Sequence, residues 1–155
     1  MKNILVVDDE PLIANGVANL VASFDFPLVV KGIYTDSEEA LAFCQQNTID
    51  IVITDINMPK VNGLALIKNL KAINPAIQII ILTGFGSFSF AKEAMALGVK
   101  FFLEKPVFPS KLSEALAETI ERSERRQMES TLYLKQQIEQ YINSCGEEPL
   151  LSLIH

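Results

Sequence analysis

Short aliphatic runs alternate along the chain with longer segments in which apolar positions recur every three or four residues. Ile4–Val7 is four consecutive aliphatics, too few for a helix and suited to a buried strand. Runs at Leu28–Tyr34, Ile49–Thr54, Ile77–Leu82 and Val99–Leu103 predict four more strands. Pro11 suits the first turn of a first helix, where a missing N–H costs nothing. The apolar stripe of that helix reads Leu12, Val17, Leu20, Val21 and Phe24. Asp36-Ser37-Glu38-Glu39 opens a second helix with a cap and an acidic first turn, and Ala40, Leu41 and Cys44 form its apolar face. A third runs from Gly63 to about Ile73 and stops at Asn74-Pro75. A fourth spans Phe88 to Leu97, with Gly98 as its C-cap. The last begins at Pro109-Ser110.

The pattern is (βα)5. Apolar strands in strict alternation with helices imply an α/β, doubly wound, five-stranded parallel sheet covered on both faces. Right-handed crossovers leave few strand orders. Sites in such sheets form beyond the carboxyl ends of the strands. The residues there are Asp8, Asp9 and Glu10 after the first strand, Asp55 to Met58-Pro59 after the third, Thr83-Gly84 after the fourth, and Lys105-Pro106 after the fifth.

Three aspartates, a hydroxyl and a lysine on one rim restrict the chemistry. Close carboxylates repel unless a cation sits among them. Oxygen ligands without His or Cys suit Mg²⁺ (or Mn²⁺). A carboxylate can attack phosphorus to give an acyl phosphate, while lysine and metal neutralise the phosphoryl oxygens. Taken singly, each residue has a plainer role. Asp8 or Asp9 could cap a helix, Asp55 could serve a turn, and Lys105 could be a surface lysine. Independent caps and turns give no reason for these types to fall at the ends of strands one, three, four and five.

Composition narrows the picture further. The chain has 155 residues, about half of them apolar, and a net charge of −6. That charge argues against direct nucleic-acid binding by this segment. Two cysteines without metal spacing fit a reduced, cytoplasmic chain. No apolar stretch approaches a membrane span.

The segments Val6-Val7-Asp8-Asp9-Glu10-Pro11, Thr54-Asp55-Ile56-Asn57-Met58-Pro59, Asn62-Gly63, Leu82-Thr83-Gly84 and Lys105-Pro106 resemble the receiver domain of two-component response regulators, over about residues 2–122. The resemblance implies a flavodoxin-like strand order 2-1-3-4-5 and phosphorylation of Asp55 by a sensor histidine kinase. It implies metal ligation by Asp8, Asp9, Asp55 and the Asn57 backbone carbonyl, and catalytic contacts from Thr83 and Lys105. It also implies a cis Lys105-Pro106 bond, a switch made by Thr83 and Phe102, and an acyl-phosphate lifetime set by Asn57 and Phe85. For Phe102, a plain core role in the fifth strand stays equally open. Leu82-Thr83-Gly84-Phe85, with Phe88 and Phe90-Ala91-Lys92, is similar to receivers of transcriptional regulators with an AraC-type output; Phe90 and Ser87 depart from that pattern. Beyond phosphorylating and dephosphorylating itself, such a domain is not an enzyme. The competing reading is a metal-dependent phosphatase or phosphotransferase of the haloacid-dehalogenase type. It needs an Asp-x-Asp pair, where this chain has Asp8 and Glu10.

Residues 110–143 contain no Gly or Pro, so an extended helix about 50 Å long is expected there. Leu112, Leu116 and Ile120 form its core face, and the receiver part should end near Arg122. Thr131, Leu134, Ile138, Tyr141 and Cys145 then follow 3-4-3-4 spacing, a coiled-coil seam of about two heptads. The resulting division is a receiver at 1–122 and a helical linker at 123–155. The linker reads as stopping before an output domain, with a homodimer expected through the receiver, the helix or both. The alternative is an amphipathic helix folding back on its own domain, or a linker whose partner is missing.

Overall fold

The computed structural model describes residues 1–58, 63–84 and 88–145. Five strands, β1 (Lys2–Val7), β2 (Leu28–Tyr34), β3 (Ile51–Asp55), β4 (Gln78–Thr83) and β5 (Phe101–Glu104), form one parallel sheet in the order β2-β1-β3-β4-β5. Five helices alternate with them: α1 (Pro11–Ser23), α2 (Ser37–Gln46), α3 (Gly63–Ile73), α4 (Phe88–Ala96) and α5 (Pro109–Cys145). The doubly wound fold, its strand order and the long final helix are those expected. Three strand ends move: Asp55, Thr83 and Glu104 close β3, β4 and β5 instead of following them. Their backbones still pair with the neighbouring strand, because the ladder outlasts the apolar run.

Strand side chains alternate between two cores. Leu5, Val7, Val52, Ile79 and Ile81 face α2, α3 and α4, whereas Ile4, Val6, Ile51, Ile53, Ile80 and Leu82 face α1 and α5. β1, β3 and β4 lie inside the sheet, which is why they read as nearly unbroken aliphatic runs. Burying each large aliphatic contributes about 1.5–3 kcal/mol. β2 lies at an edge and is only partly buried. Its register against β1 shifts between Ile4 and Leu5. Gly32 lies there because a Cβ would come within 2.7 Å of the Tyr34 ring and 2.9 Å of Leu5.

Helix ends follow the sequence signals. Asp36 Oδ1 accepts from the Glu38 and Glu39 amides at 2.8 and 3.3 Å. Gly98 has φ +89° and closes α4: its N–H reaches the Met95 carbonyl and the Val99 N–H reaches that of Ala94. Ala94 and Val99 are both buried, the apolar contact that accompanies this cap.

The stripe expected on α1 needs one correction. Leu12 is 89% exposed, and the buried residues are Ala14, Val17, Ala18 and Val21. At about 100° per residue Leu12 falls on the far side of that face. The small Ala14 and Ala18, absent from a stripe chosen by size, are buried on that face.

The chain divides into two compact units, 1–123 and 124–155. In the first, α5 buries Leu112, Ala115, Leu116, Thr119, Ile120 and Ser123. In the second, the side chains of Leu134, Ile138 and Tyr141 are all exposed.

Candidate functional site

Asp8 follows β1 directly and is fully buried. Its N–H bonds the Tyr34 carbonyl, and its Oδ1 accepts from the Glu10 N–H at 2.9 Å, a short turn that opens α1. Asp55 ends β3 and is 4% exposed; its Oδ1 accepts from the Asn57 N–H at 3.1 Å. One carboxylate oxygen each from Asp8, Asp9 and Asp55 lies within 4.8 Å of the other two. The parallel register places β1 beside β3, so residues nearly fifty positions apart share one rim.

Lys105 reaches in from the end of β5. Its Nζ is 2.9 Å from Asp8 Oδ2 and 3.1 Å from Asp55 Oδ2. It donates a hydrogen bond to Asp55 and pairs with Asp8, whose buried Oδ2 has this ammonium as its counter-charge and no other hydrogen-bond donor among the described residues. The Lys105-Pro106 bond is cis, and the Lys105 N–H bonds the Thr83 carbonyl at 2.8 Å.

The electrostatics follow from this crowding. The Asp9 carboxyl is raised above its ordinary pKa, by burial first and then by the charges of Asp55 and Asp8. For Lys105, burial works against the charge, but Asp8 and Asp55 outweigh it and hold the ammonium above the usual lysine range. A rim of three carboxylates with no thiolate or imidazole among the described residues, one of its oxygens buried against a single ammonium, fits a hard divalent cation such as Mg²⁺.

The other expected residues lie at different distances from this cluster. Thr83 is 8% exposed at the end of β4, its hydroxyl turned to the Leu103 carbonyl on β5 at 3.4 Å. Asn57 is exposed and tied to Asp55 through its own N–H. Phe102 is partly buried against the core beneath α2, α3 and α4. Phe85, Pro59 and Asn62 lie outside the described residues, as does the side chain of Phe88. Two residues given no separate role by sequence reasoning touch the acceptor strand. The Thr54 hydroxyl donates to the Asp55 carbonyl at 2.9 Å, and a Cβ on Gly63 would fall 2.7 Å from that same oxygen. A hydroxyl closing the aliphatic run Ile51-Val52-Ile53 was the available signal for Thr54.

Residues 4–117 match the family model described as the response regulator receiver domain. The chain belongs to that family. The receiver is 35% identical over 156 residues to the Bacillus subtilis protein named uncharacterized transcriptional regulatory protein YesN, a match covering 99% of this chain and 42% of that relative. It is 33% identical to the chemotaxis protein CheY of Thermotoga maritima, over 74% of this chain and 94% of that one. Among solved structures, the receiver domain of AraT, a response regulator from Geobacillus stearothermophilus, superposes with a TM-score of 0.76 at 33% identity. It covers 81% of this chain and 98% of that one. The chain thus spans less than half the length of the transcriptional regulator it matches end to end. The phosphatase reading is not favoured, since the family match and these relatives are those of receivers. No described helix is long and apolar enough to cross a membrane.

Proposed function

We propose that this receiver accepts a phosphoryl group on Asp55 from the phosphohistidine of a sensor histidine kinase. The observation that carries the reading is the cluster of Asp55 with Asp8, Asp9 and Lys105 at the carboxyl end of the sheet. An Asp55 carboxylate oxygen forms the new bond to phosphorus. The phosphohistidine P–N bond breaks, and the nitrogen keeps the electron pair and takes a proton. Hydrolysis reverses the state when water attacks phosphorus and returns the carboxylate and free phosphate. The domain carries out both steps on itself and has no separate substrate.

Asp8 and Asp9, with Asp55 and the Asn57 carbonyl, would hold Mg²⁺, which when bound supplies positive charge against the carboxylates and the phosphoryl oxygens. Lys105 already bridges Asp8 and Asp55 and would follow the charge outward to a phosphoryl oxygen. Among the described residues Thr83 has one long bond, to the Leu103 carbonyl, to give up before donating to the phosphoryl group. Phe102, partly buried, would then move into the space the threonine leaves. Phosphorylation in this way shifts a population through contacts made only in the modified state. Asn57 and Phe85 would set the acyl-phosphate lifetime by limiting water access.

In this reading residues 1–122 are the receiver and 123–155 a linker, helical to Cys145, leading towards an output that controls transcription. The support is the likeness to longer proteins named as transcriptional regulators. The receiver works in the cytoplasm, and its second unit, with an exposed apolar stripe, pairs two copies.

Acetyl phosphate with Mg²⁺ should add one phosphoryl mass to the wild-type chain and none to Asp55→Asn. Labelling retained in that variant rejects the site. Beryllofluoride should leave Thr83→Ala short of the activated NMR spectrum. A complete shift there removes Thr83 as the trigger.

A further inference from the structure

We infer that Thr54 and Gly63 are positioning residues for the phosphoryl acceptor, holding the Asp55–Ile56 peptide from both sides. The inference rests on Asp55 being the acceptor. Four contacts converge on this one stretch of backbone. The Thr54 hydroxyl donates to the Asp55 carbonyl at 2.9 Å; it must be the donor, since a carbonyl can only accept. The Ile56 N–H bonds the Leu82 carbonyl on β4 at 3.2 Å. The Gly63 N–H bonds the Ile56 carbonyl at 3.0 Å. A Cβ at Gly63 would lie 2.6 Å from Ile56 Cα and 2.7 Å from the Asp55 carbonyl oxygen, so the first turn of α3 rests directly on the acceptor's backbone.

The arrangement suits a nucleophile that must be aimed. Asp55 has one oxygen on the Asn57 N–H and the other on Lys105, contacts that orient its carboxyl plane relative to its own backbone and to β5. Those contacts are useful only if the peptide carrying the side chain stays fixed as charge redistributes around it. Thr54 is fully buried, so its hydroxyl meets no water and the bond to the Asp55 carbonyl is not exchanged with solvent. A misplacement near 1 Å at a reacting atom can cost about a hundredfold in rate. Neither Thr54 nor Gly63 contributes a side-chain atom to the phosphoryl group or the cation. They act through Asp55.

The experiment compares the full chain with Thr54→Val, Thr54→Ser and Gly63→Ala. It measures the rate of Asp55 phosphorylation by acetyl phosphate across a Mg²⁺ titration, with the urea unfolding midpoint beside it. Valine keeps the shape and removes the hydroxyl; serine keeps the hydroxyl. Thr54→Val should phosphorylate about tenfold slower at saturating Mg²⁺, where a change in affinity through the shared ligands Asp55 and Asn57 no longer limits the rate. Thr54→Ser should restore most of the rate. A wild-type rate in Thr54→Val, or an equal loss in Thr54→Ser, overturns the role of the hydroxyl. Gly63→Ala keeps that hydroxyl and presses on the same peptide from α3, so it stands as an independent arm if Thr54→Val does not fold. Its rate at saturating Mg²⁺ should also fall, and a wild-type rate there overturns the clamp. A wild-type chain that takes no label on Asp55 would instead reject the acceptor assignment, an outcome distinct from these.

Discussion

Replacing Lys105 with methionine should move three measurable quantities, not all in the same direction. The ammonium lies 2.9 Å from Asp8 Oδ2 and 3.1 Å from Asp55 Oδ2, and Asp8 has no exposed surface. Unit charges about 4 Å apart attract by about 4 kcal/mol at an effective dielectric near 20. Removing one partner of a buried pair costs about 3–5 kcal/mol, chiefly because the other charge stays buried. Lys105 keeps 17% of its side chain exposed, and methionine preserves most of its stem packing, so the lower end applies, about 3 kcal/mol without metal. Added Mg²⁺ should bind more tightly. Three carboxylates and one ammonium carry two net negative charges, and the variant carries three with no competing cation. A tenfold gain needs only about 1.4 kcal/mol, a fraction of the repulsion relieved. Phosphorylation should slow nonetheless, since a cation for the phosphoryl oxygens is lost. Urea unfolding followed by circular dichroism in EDTA, a Mg²⁺ titration of the melting temperature and acetyl phosphate labelling measure the three effects. An unchanged midpoint in EDTA together with unchanged Mg²⁺ affinity would show that the bridge seen between Asp8 and Asp55 has no energetic weight.

Three further outcomes are expected. The Asp9 carboxyl is raised in the folded state, by burial first and by Asp55 and Asp8 next, so the folded protein binds more protons there than the unfolded chain does. Its contribution to metal-free stability is therefore full below the ordinary aspartate range and declines as pH rises through the raised pKa. Urea midpoints in EDTA should show that decline relative to Asp9→Asn, and Mg²⁺ should reverse it; identical pH profiles would refute the coupling. Gly98→Ala meets no atom within 4 Å but must hold φ +89°, so it should cost about 1 kcal/mol while leaving the rate of Asp55 phosphorylation unchanged. In sedimentation, the full chain at high concentration should form dimers that Leu134→Glu/Ile138→Glu abolishes; a wild-type chain monomeric with and without beryllofluoride would leave residues 124–145 as a linker alone.

Much of this molecule is written in local patterns. β1, β3 and β4 are legible because a strand buried on both faces admits little but aliphatics, and no neighbour need be known to see it. Gly98 and Asp36 are legible for a similar reason: a left-handed residue and a side-chain cap are demands of a helix's own backbone. The acidic rim could also be anticipated, since parallel strands bring all their carboxyl ends to one side. What the local pattern does not contain is distance across the sheet. That Lys105 lies between Asp8 and Asp55 depends on how β5 carries the lysine in from the edge, fifty positions and two strands from Asp55. Leu12 is not legible, because hydrophobicity alone does not say which side of α1 the sheet takes, and the buried face uses the small Ala14 and Ala18 instead. Gly63 looks like an ordinary helix start until the path of β3 brings the Asp55 carbonyl against the point where its Cβ would be. Sequence alone determines which residues prefer strand, cap or rim, because those preferences act within a few residues. The tertiary structure decides which of them meet, because burial and electrostatics act through space between segments the chain keeps far apart.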